Sequence, residues 1–463
     1  MNLRRKEALT NIAEGLFPYS ETFLMWVICS GLMGLAGGAV GAAFYHMVSW
    51  ANRVRAAHPE LLWLLPVGGL AIVAVYQLCG MSTERGTNQV IESARSGQRA
   101  PLRMTPLIIF ATFITHLLGG SAGREGAALQ IGGSMGGWLG EKLRLNQPSQ
   151  HFMVLCGMSA VFSALFGTPL TATIFSIEVI SVGVVYHAAL LPCTMSSLMA
   201  YGVSRALGAV PEHFVIHKAS SLNWGNSWRV VILGVGCALV GMLLCSVMHT
   251  ASHLYQTWLP NQYLRILAGS ALIIGCTLLL GTREYNGAGM QVIERAITEG
   301  VLEHPLAFLF KLLLTALTLG CGFRGGEIVP TFFIGSTFGC LVGPLLGLDP
   351  GLAAAVALVA TFCAVTNCPF ASIVLGVELF GAESMLLFAL ACAVSYLLSG
   401  QYSLYSGQQI MYSKRWTSPP TDSLIQTRAP AKLSYQNRAR MCLSFCLRKS
   451  YDFLTKSDQA SSG

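Results

Sequence analysis

Charge inside an apolar sequence is the first thing to explain. The stretch from Gly119 to Gly140, GGSAGREGAALQIGGSMGGWLG, sets Arg124 and Glu125 in a glycine-rich turn that opens a helical pattern. A helix start presents free N–H groups and about half a positive charge, so it attracts anions. Glu125 at such a mouth is a tethered anion that can fill the site, leave it, or carry a proton. A capping carboxylate paired with Arg124 is the plainer alternative, and the rarity of ionisable groups in apolar spans weighs for function. Glu327, in Gly325-Gly326-Glu327-Ile328-Val329-Pro330, is a second acid in a similar turn, with capping and function equally open. Tyr405, in GQYSLYSGQQ, offers a hydroxyl donor, with an interfacial tyrosine belt as the alternative. Glu178 and Glu378 end matching apolar runs, which points to paired scaffolding, and His116 reads as a packed histidine. Metal-ligand spacings, a nucleophile elbow and a P-loop are all missing, and no cofactor is implied. An intramembrane enzyme using Glu125 or Glu327 as acid or base would need a catalytic partner that the sequence does not offer.

The elements that must hold these residues are read from composition and pattern. Over 463 residues, 53% are hydrophobic and 11% charged, far too apolar for a soluble chain of this length. Apolar runs of spanning or near-spanning length recur from about residue 23 to 398, which predicts an all-α polytopic membrane protein, since a closed barrel needs short alternating strands. The first 15 residues are polar and basic, so a cleavable signal peptide is not expected. Arg4, Arg5 and Lys6 precede the first span, and Lys414, Arg415, Arg428, Lys432, Arg438, Arg440, Arg448 and Lys449 follow the last. This asymmetry places both termini in the cytoplasm and accounts for the net charge of +8 without a nucleic-acid partner. The 14 cysteines stand singly and read as small buried hydrophobes.

A faint repeat divides the apolar part. Gln89-Val90-Ile91-Glu92 recurs as Gln291-Val292-Ile293-Glu294, residues 123–136 ending IGGSMG recur as 326–339 ending IGSTFG, and Pro169 through Glu178 recurs as Pro369 through Glu378. The nearly constant offset predicts two related halves, about 22–210 and 228–408. Residues 1–21 are expected as a cytoplasmic segment, 22–408 as the membrane domain, and 409–463 as a basic, partly disordered cytoplasmic tail. Short runs stopped at Gly167-Thr168-Pro169 and Asn367-Cys368-Pro369 predict broken helices, which a membrane tolerates only where freed backbone is buried or lines a cavity. Two glycine-rich helix starts, with Glu125 opposite Ile328, could then converge on one ion. Parallel and inverted arrangements both remain open at this level.

Taken together, Gly123-Arg124-Glu125-Gly126, the Gly325 to Pro330 turn, the paired runs ending IEV and VEL, and Tyr405 resemble the CLC chloride channel and anion/proton antiporter family, over about residues 22–408. The resemblance implies an inverted repeat of tilted and broken helices, a homodimer in the membrane lipid with a pore in each subunit, and transport of a halide anion, fluoride or chloride, coupled to protons. It makes Glu125 the gating and proton-transfer glutamate, the backbone at Gly123, Arg124, Gly126, Glu327, Ile328 and Val329 an anion cradle, and Tyr405 the inner gate. The family's first motif, usually Gly-Ser-Gly-Ile-Pro with the serine binding the anion, is matched here by Gly86-Thr87-Asn88, which the resemblance makes an altered part of the anion site. Val179 stands where many antiporters carry an inner proton glutamate, and Ala127 where proline is common. With Glu327, with THLLGGSAGREG and with TNCP leading to VELFG, these departures resemble the bacterial fluoride/proton antiporters, and so imply export of fluoride across the inner membrane. Thr87 and Val329 differ from many members of that branch, and Val179 also suits passive chloride channels.

Overall fold

The computed structural model describes residues 2–82, 86–96, 100–217, 223–412 and 414, with side chains from Ser20 onward. Most of the expected basic tail, 415–463, lies outside the described residues. The first half runs α1 (Asn2–Ala57), α2 (Leu65–Leu78), α3 (Thr87–Ser96), α4 (Met104–Leu118), α5 (Glu125–Lys142), α6 (Gln147–Phe166), α7 (Pro169–Glu178) and α8 (Leu190–Ala206). The second runs α9 (Trp224–Trp258), α10 (Gln262–Leu280), α11 (Met290–Glu294), α12 (Ala307–Cys321), α13 (Ile328–Val342), α14 (Pro350–Thr366), α15 (Pro369–Phe380) and α16 (Met385–Leu398). Helix for helix the halves match in order, and the register predicted from the motifs is the register of the fold. α1 is one continuous helix from Asn2, and its candidate membrane span is Ser20–Ala57.

Among the described residues, six helical stretches are long and apolar enough to cross a membrane, and several more apolar helices are shorter. The chain breaks between α6 and α7 and between α14 and α15, as the sequence predicts. α6 ends on Gly167 and α14 on Asn367, both left-handed at φ 73° and 59°, and each is followed by an X-Pro step that starts the next helix. Proline excludes helical backbone in the residue before it and suits the first turn of the helix after it.

Close helix crossings repeat in both halves. A Cβ built on Gly136 of α5 would lie 2.1 Å from the Met153 carbonyl of α6, and one on Gly339 of α13 would lie 2.2 Å from the Ala353 carbonyl of α14. Only glycine permits this backbone approach, which is how apolar helices gain packing in lipid.

The halves are joined by exchanged caps. Glu178, at the end of α7, accepts the N–H groups of Phe370 and Ala371 (3.2 and 2.8 Å) at the start of α15. Glu378, near the end of α15, accepts those of Leu170 and Thr171 (2.9 and 2.8 Å) at the start of α7, and the Thr171 hydroxyl at 2.6 Å. End meets start in both directions, so α7 and its counterpart α15 run antiparallel and the repeat is inverted. The two carboxylates are the scaffold that their matched positions suggested. An aromatic chain links the halves beneath them, with Phe166 against Phe332, Phe332 against Phe362 and Phe362 against Phe175, at centroid distances of 6.0, 5.4 and 5.7 Å.

Beyond Tyr405 the chain stays attached. Gln409 and Ile410 pair in parallel with Ser181 and Val182, and the compact unit continues through Lys414. The compact unit therefore includes described residues beyond 408.

Candidate anion site at two facing helix starts

The residues just before α5 and α13 meet directly. Gly123 and Gly326 form an isolated antiparallel bridge, with N–H to carbonyl distances of 2.7 and 2.6 Å. The bridge brings two helix starts nose to nose, so the partial positive charges of both fall on one small volume. Glycine is needed for the approach: a Cβ on Gly326 would lie 2.5 Å from the Gly126 nitrogen.

Glu125 fills that volume. Its Oε2 accepts the N–H of Arg124 at 2.9 Å and reaches the N–H of Val329, in the opposite helix, at 3.4 Å. The side chain has no exposed surface, and Oε1 makes no hydrogen bond, with Arg124 Nε 3.8 Å away. Leaving a buried acceptor unsatisfied costs about 1–3 kcal/mol. The carboxylate is thus held by one good bond, one long bond and two helix dipoles, an arrangement that a free anion or a proton can compete with.

Arg124 contributes its backbone N–H, and its guanidinium lies between two carboxylates, with Nε 3.8 Å from Glu125 Oε1. Nη2 pairs with Glu212 Oε1 at 2.7 Å, and the group stacks over the Tyr45 ring at 4.9 Å.

On the other side of the bridge lie the remaining candidates. A Cβ on Gly126 would meet Glu327 Oε2 at 3.1 Å and Thr87 Oγ1 at 3.2 Å, so both side chains converge there. Thr87, opening α3, donates to the Gly126 carbonyl at 3.4 Å and accepts from Gln130 Nε2 at 3.3 Å. Tyr405 is buried beside Glu327, and its hydroxyl lacks a hydrogen-bond partner of ordinary geometry. Ile328 supplies the first backbone unit of α13. Gly86 makes the left-handed turn into α3 at φ 60°. Asn88 turns aside, its Oδ1 accepting the Gly407 N–H at 2.9 Å, so it secures the Tyr405 loop. His116 is packed, with Nδ1 2.9 Å from the Thr112 carbonyl.

Three contributors were not foreseen. Glu212 sits in a polar connector whose folding back onto Arg124 leaves no local signal, and Tyr45 belongs to a helix remote in sequence. Gln130 did carry a signal: it is an amide on the otherwise apolar and glycine-rich α5, five residues after Glu125.

Two inverted halves of membrane-spanning and broken helices, meeting at glycine-rich helix starts with a buried carboxylate between them, define a multi-pass membrane protein. The family model for the voltage gated chloride channel matches residues 68–400, and the chain belongs to that family. It is 34% identical over 414 residues to a chloride/fluoride channel protein of Pseudomonas syringae pv. tomato, covering 88% of this chain and 90% of the relative. It is 25% identical over 421 residues to an H(+)/Cl(-) exchange transporter, ClcA, of Vibrio cholerae, covering 85% and 88%. Among solved structures, a CLC-type fluoride/proton antiporter matches with a TM-score of 0.81 at 32% identity, over 84% of this chain and 98% of the other. A slow cyanobacterial Cl-/H+ antiporter shares the fold with a TM-score of 0.68 at 20% identity, over 81% and 94%.

Proposed function

We propose that this protein exchanges a halide anion, fluoride in preference to chloride, for protons across the bacterial inner membrane. The observation that carries the reading is the Glu125 carboxylate lodged between the Arg124 and Val329 amides, where a free anion would find the same donors. Glu125 alternates between occupying that position and leaving it with a proton, so one side chain links the two fluxes. Fluoride is small and strongly hydrated, and its transfer needs several close donors in place of water. Backbone amides of both helix starts, with the hydroxyls of Thr87 and Tyr405, supply that set. Glu327, facing the site from the Tyr405 side, is a second proton-accepting group within it. The low similarity of the chloride exchangers beside the relatives named for fluoride favours fluoride export. The chain works in this reading as a homodimer, with both termini cytoplasmic, as a transporter and not as an enzyme.

Purified protein in liposomes tests the proposal. A fluoride gradient should drive proton movement, and Glu125→Gln should abolish that coupling. Chloride transport without fluoride preference would reject the fluoride reading. Proton pumping that persists unchanged in Glu125→Gln would reject the gate.

A further inference from the structure

The segment that carries Tyr405 is closed at both ends by a single amide. Asn367 Nδ2 donates to the Tyr402 carbonyl at 3.0 Å, and Asn367 Oδ1 accepts from the Lys414 ammonium. The amide's orientation is fixed by its partners, because a carbonyl can only accept and an ammonium can only donate. Lys414 completes its three donors with the Tyr396 carbonyl at 2.8 Å and Ser399 Oγ at 3.2 Å, and it lies 3.9 Å from the centre of the Tyr396 ring. It thereby caps the end of α16, where a cation is favoured.

Asn367 is suited to this role by its backbone as well. It ends α14 at φ 59°, a conformation that asparagine tolerates far better than most residues, and it is 3% exposed. Between the two ends of the loop, Leu404 N–H bonds the Val365 carbonyl at 2.9 Å and Gln408 Nε2 bonds the Thr366 carbonyl at 2.7 Å. The last turn of α14 therefore anchors residues on both sides of Tyr405, and the Asn367 side chain fastens the strand that enters to the strand that leaves.

We infer that Asn367 and Lys414 form a clasp that fixes the Tyr405 hydroxyl in the anion path, acting as positioning residues for transport. The inference rests on the proposed function, in which that hydroxyl binds the anion. The tail's first basic residue is then part of the transport machinery and is not merely an orientation signal. Opening the clasp leaves the helix starts and Glu125 untouched, so anion affinity falls while proton coupling persists.

The experiment compares wild type, Lys414→Met, Asn367→Gly, Tyr405→Phe and the Tyr405→Phe/Lys414→Met pair in liposomes, with fluoride and chloride each as the transported ion. Asn367→Gly keeps the left-handed cap and removes only the amide. Lys414→Met and Asn367→Gly should each raise the anion concentration for half-maximal rate about fivefold, with the maximal rate and the proton-to-anion ratio little changed. In the Tyr405→Phe background, Lys414→Met should add less than about twofold, because the group that it positions is gone. Multiplied effects in the double variant, or single variants like wild type while Tyr405→Phe is impaired, would overturn the clasp. Loss of folded protein in both single variants would overturn it too, by making the pair a folding element. A wild type that moves neither anion, or a Tyr405→Phe like wild type, would instead remove the transport reading on which the inference stands.

Discussion

The two helix starts share a backbone and differ in charge. An offset of 203 aligns Gly123 with Gly326, the pair that bridges, and it aligns Arg124 with Glu327 and Glu125 with Ile328. In the first half the residue before the helix is a cation that turns out to Glu212, and the first helical residue is the acid that fills the site. In the second half the residue before the helix is itself an acid, turned towards Gly126 and Tyr405, and the first helical residue is apolar. The inverted backbone brings the two helix starts together at a symmetric bridge of Gly123 and Gly326. Its side chains then place one carboxylate between the helix starts and another on the far side, which gives an exchanger distinguishable faces.

The largest expected effect comes from asking the bridging glycines to accept a methyl group. At Gly326 a Cβ would collide with the backbone nitrogens of Gly126 and Glu125, at 2.5 and 2.8 Å. Neither can retreat without parting the helix starts, so Gly326→Ala should cost about 3 kcal/mol or more and yield little folded protein. At Gly123 the nearest atom is Glu125 Oε2 at 2.2 Å, followed by Pro330 Cδ at 3.1 Å. A carboxylate on a flexible stem can move, so Gly123→Ala should fold and should transport with weakened proton coupling. Thermal aggregation in detergent, together with proton flux in liposomes, separates the two. Equal stability of both variants would mean that the bridge is not what holds the starts together.

A smaller effect tests the exchanged caps. Glu378 accepts two N–H groups and the Thr171 hydroxyl, whereas Glu178 accepts two N–H groups only. Losing a capping acceptor typically costs about 1 kcal/mol, so Glu378→Ala should lower the melting temperature more than Glu178→Ala by roughly the worth of one extra charged hydrogen bond. The reverse order would show that the deeper burial of Glu178, at 5% exposure, outweighs its smaller number of bonds.

These comparisons also mark how far the sequence could be read. The offset between the motifs aligned Gly123 with Gly326, because a backbone approach that only glycine permits, followed by the matching endings IGGSMG and IGSTFG, leaves a recognisable trace. Broken helices were legible at Gly167-Thr168-Pro169 and Asn367-Cys368-Pro369 for the same local reason. Orientation was not: the antiparallel run of α7 and α15 depends on contacts between Glu178 and Phe370 across the whole repeat. Nor was the direction of the Arg124 side chain, which is decided by Glu212 and Tyr45, residues without local connection to the motif. Tyr405 was singled out by its place after the last span, but the hydrogen bonds that hold its loop were not foreseen, since Lys414 reads as one more basic residue of a tail.

The smallest effect concerns Arg124. Arg124 lies 2.7 Å from Glu212 and 3.8 Å from Glu125 Oε1, and its side chain is 12% exposed against 23% for Glu212. With both acids present the cation lies closer to Glu212 than to the carboxylate proposed to move. Glu212→Gln removes the charge and keeps the shape, leaving Glu125 as the nearest carboxylate to Arg124. A cation drawn to the lodged form of Glu125 should slow its departure, lowering turnover about threefold, the scale of a partly exposed ion pair. Proton coupling should stay intact, because the same side chain still carries the proton. The second half has acid where the first has arginine, so Glu327 imposes no such restraint. Faster turnover in Glu212→Gln would show that the pair with Glu212 holds Arg124, and with it Glu125, in the closed arrangement.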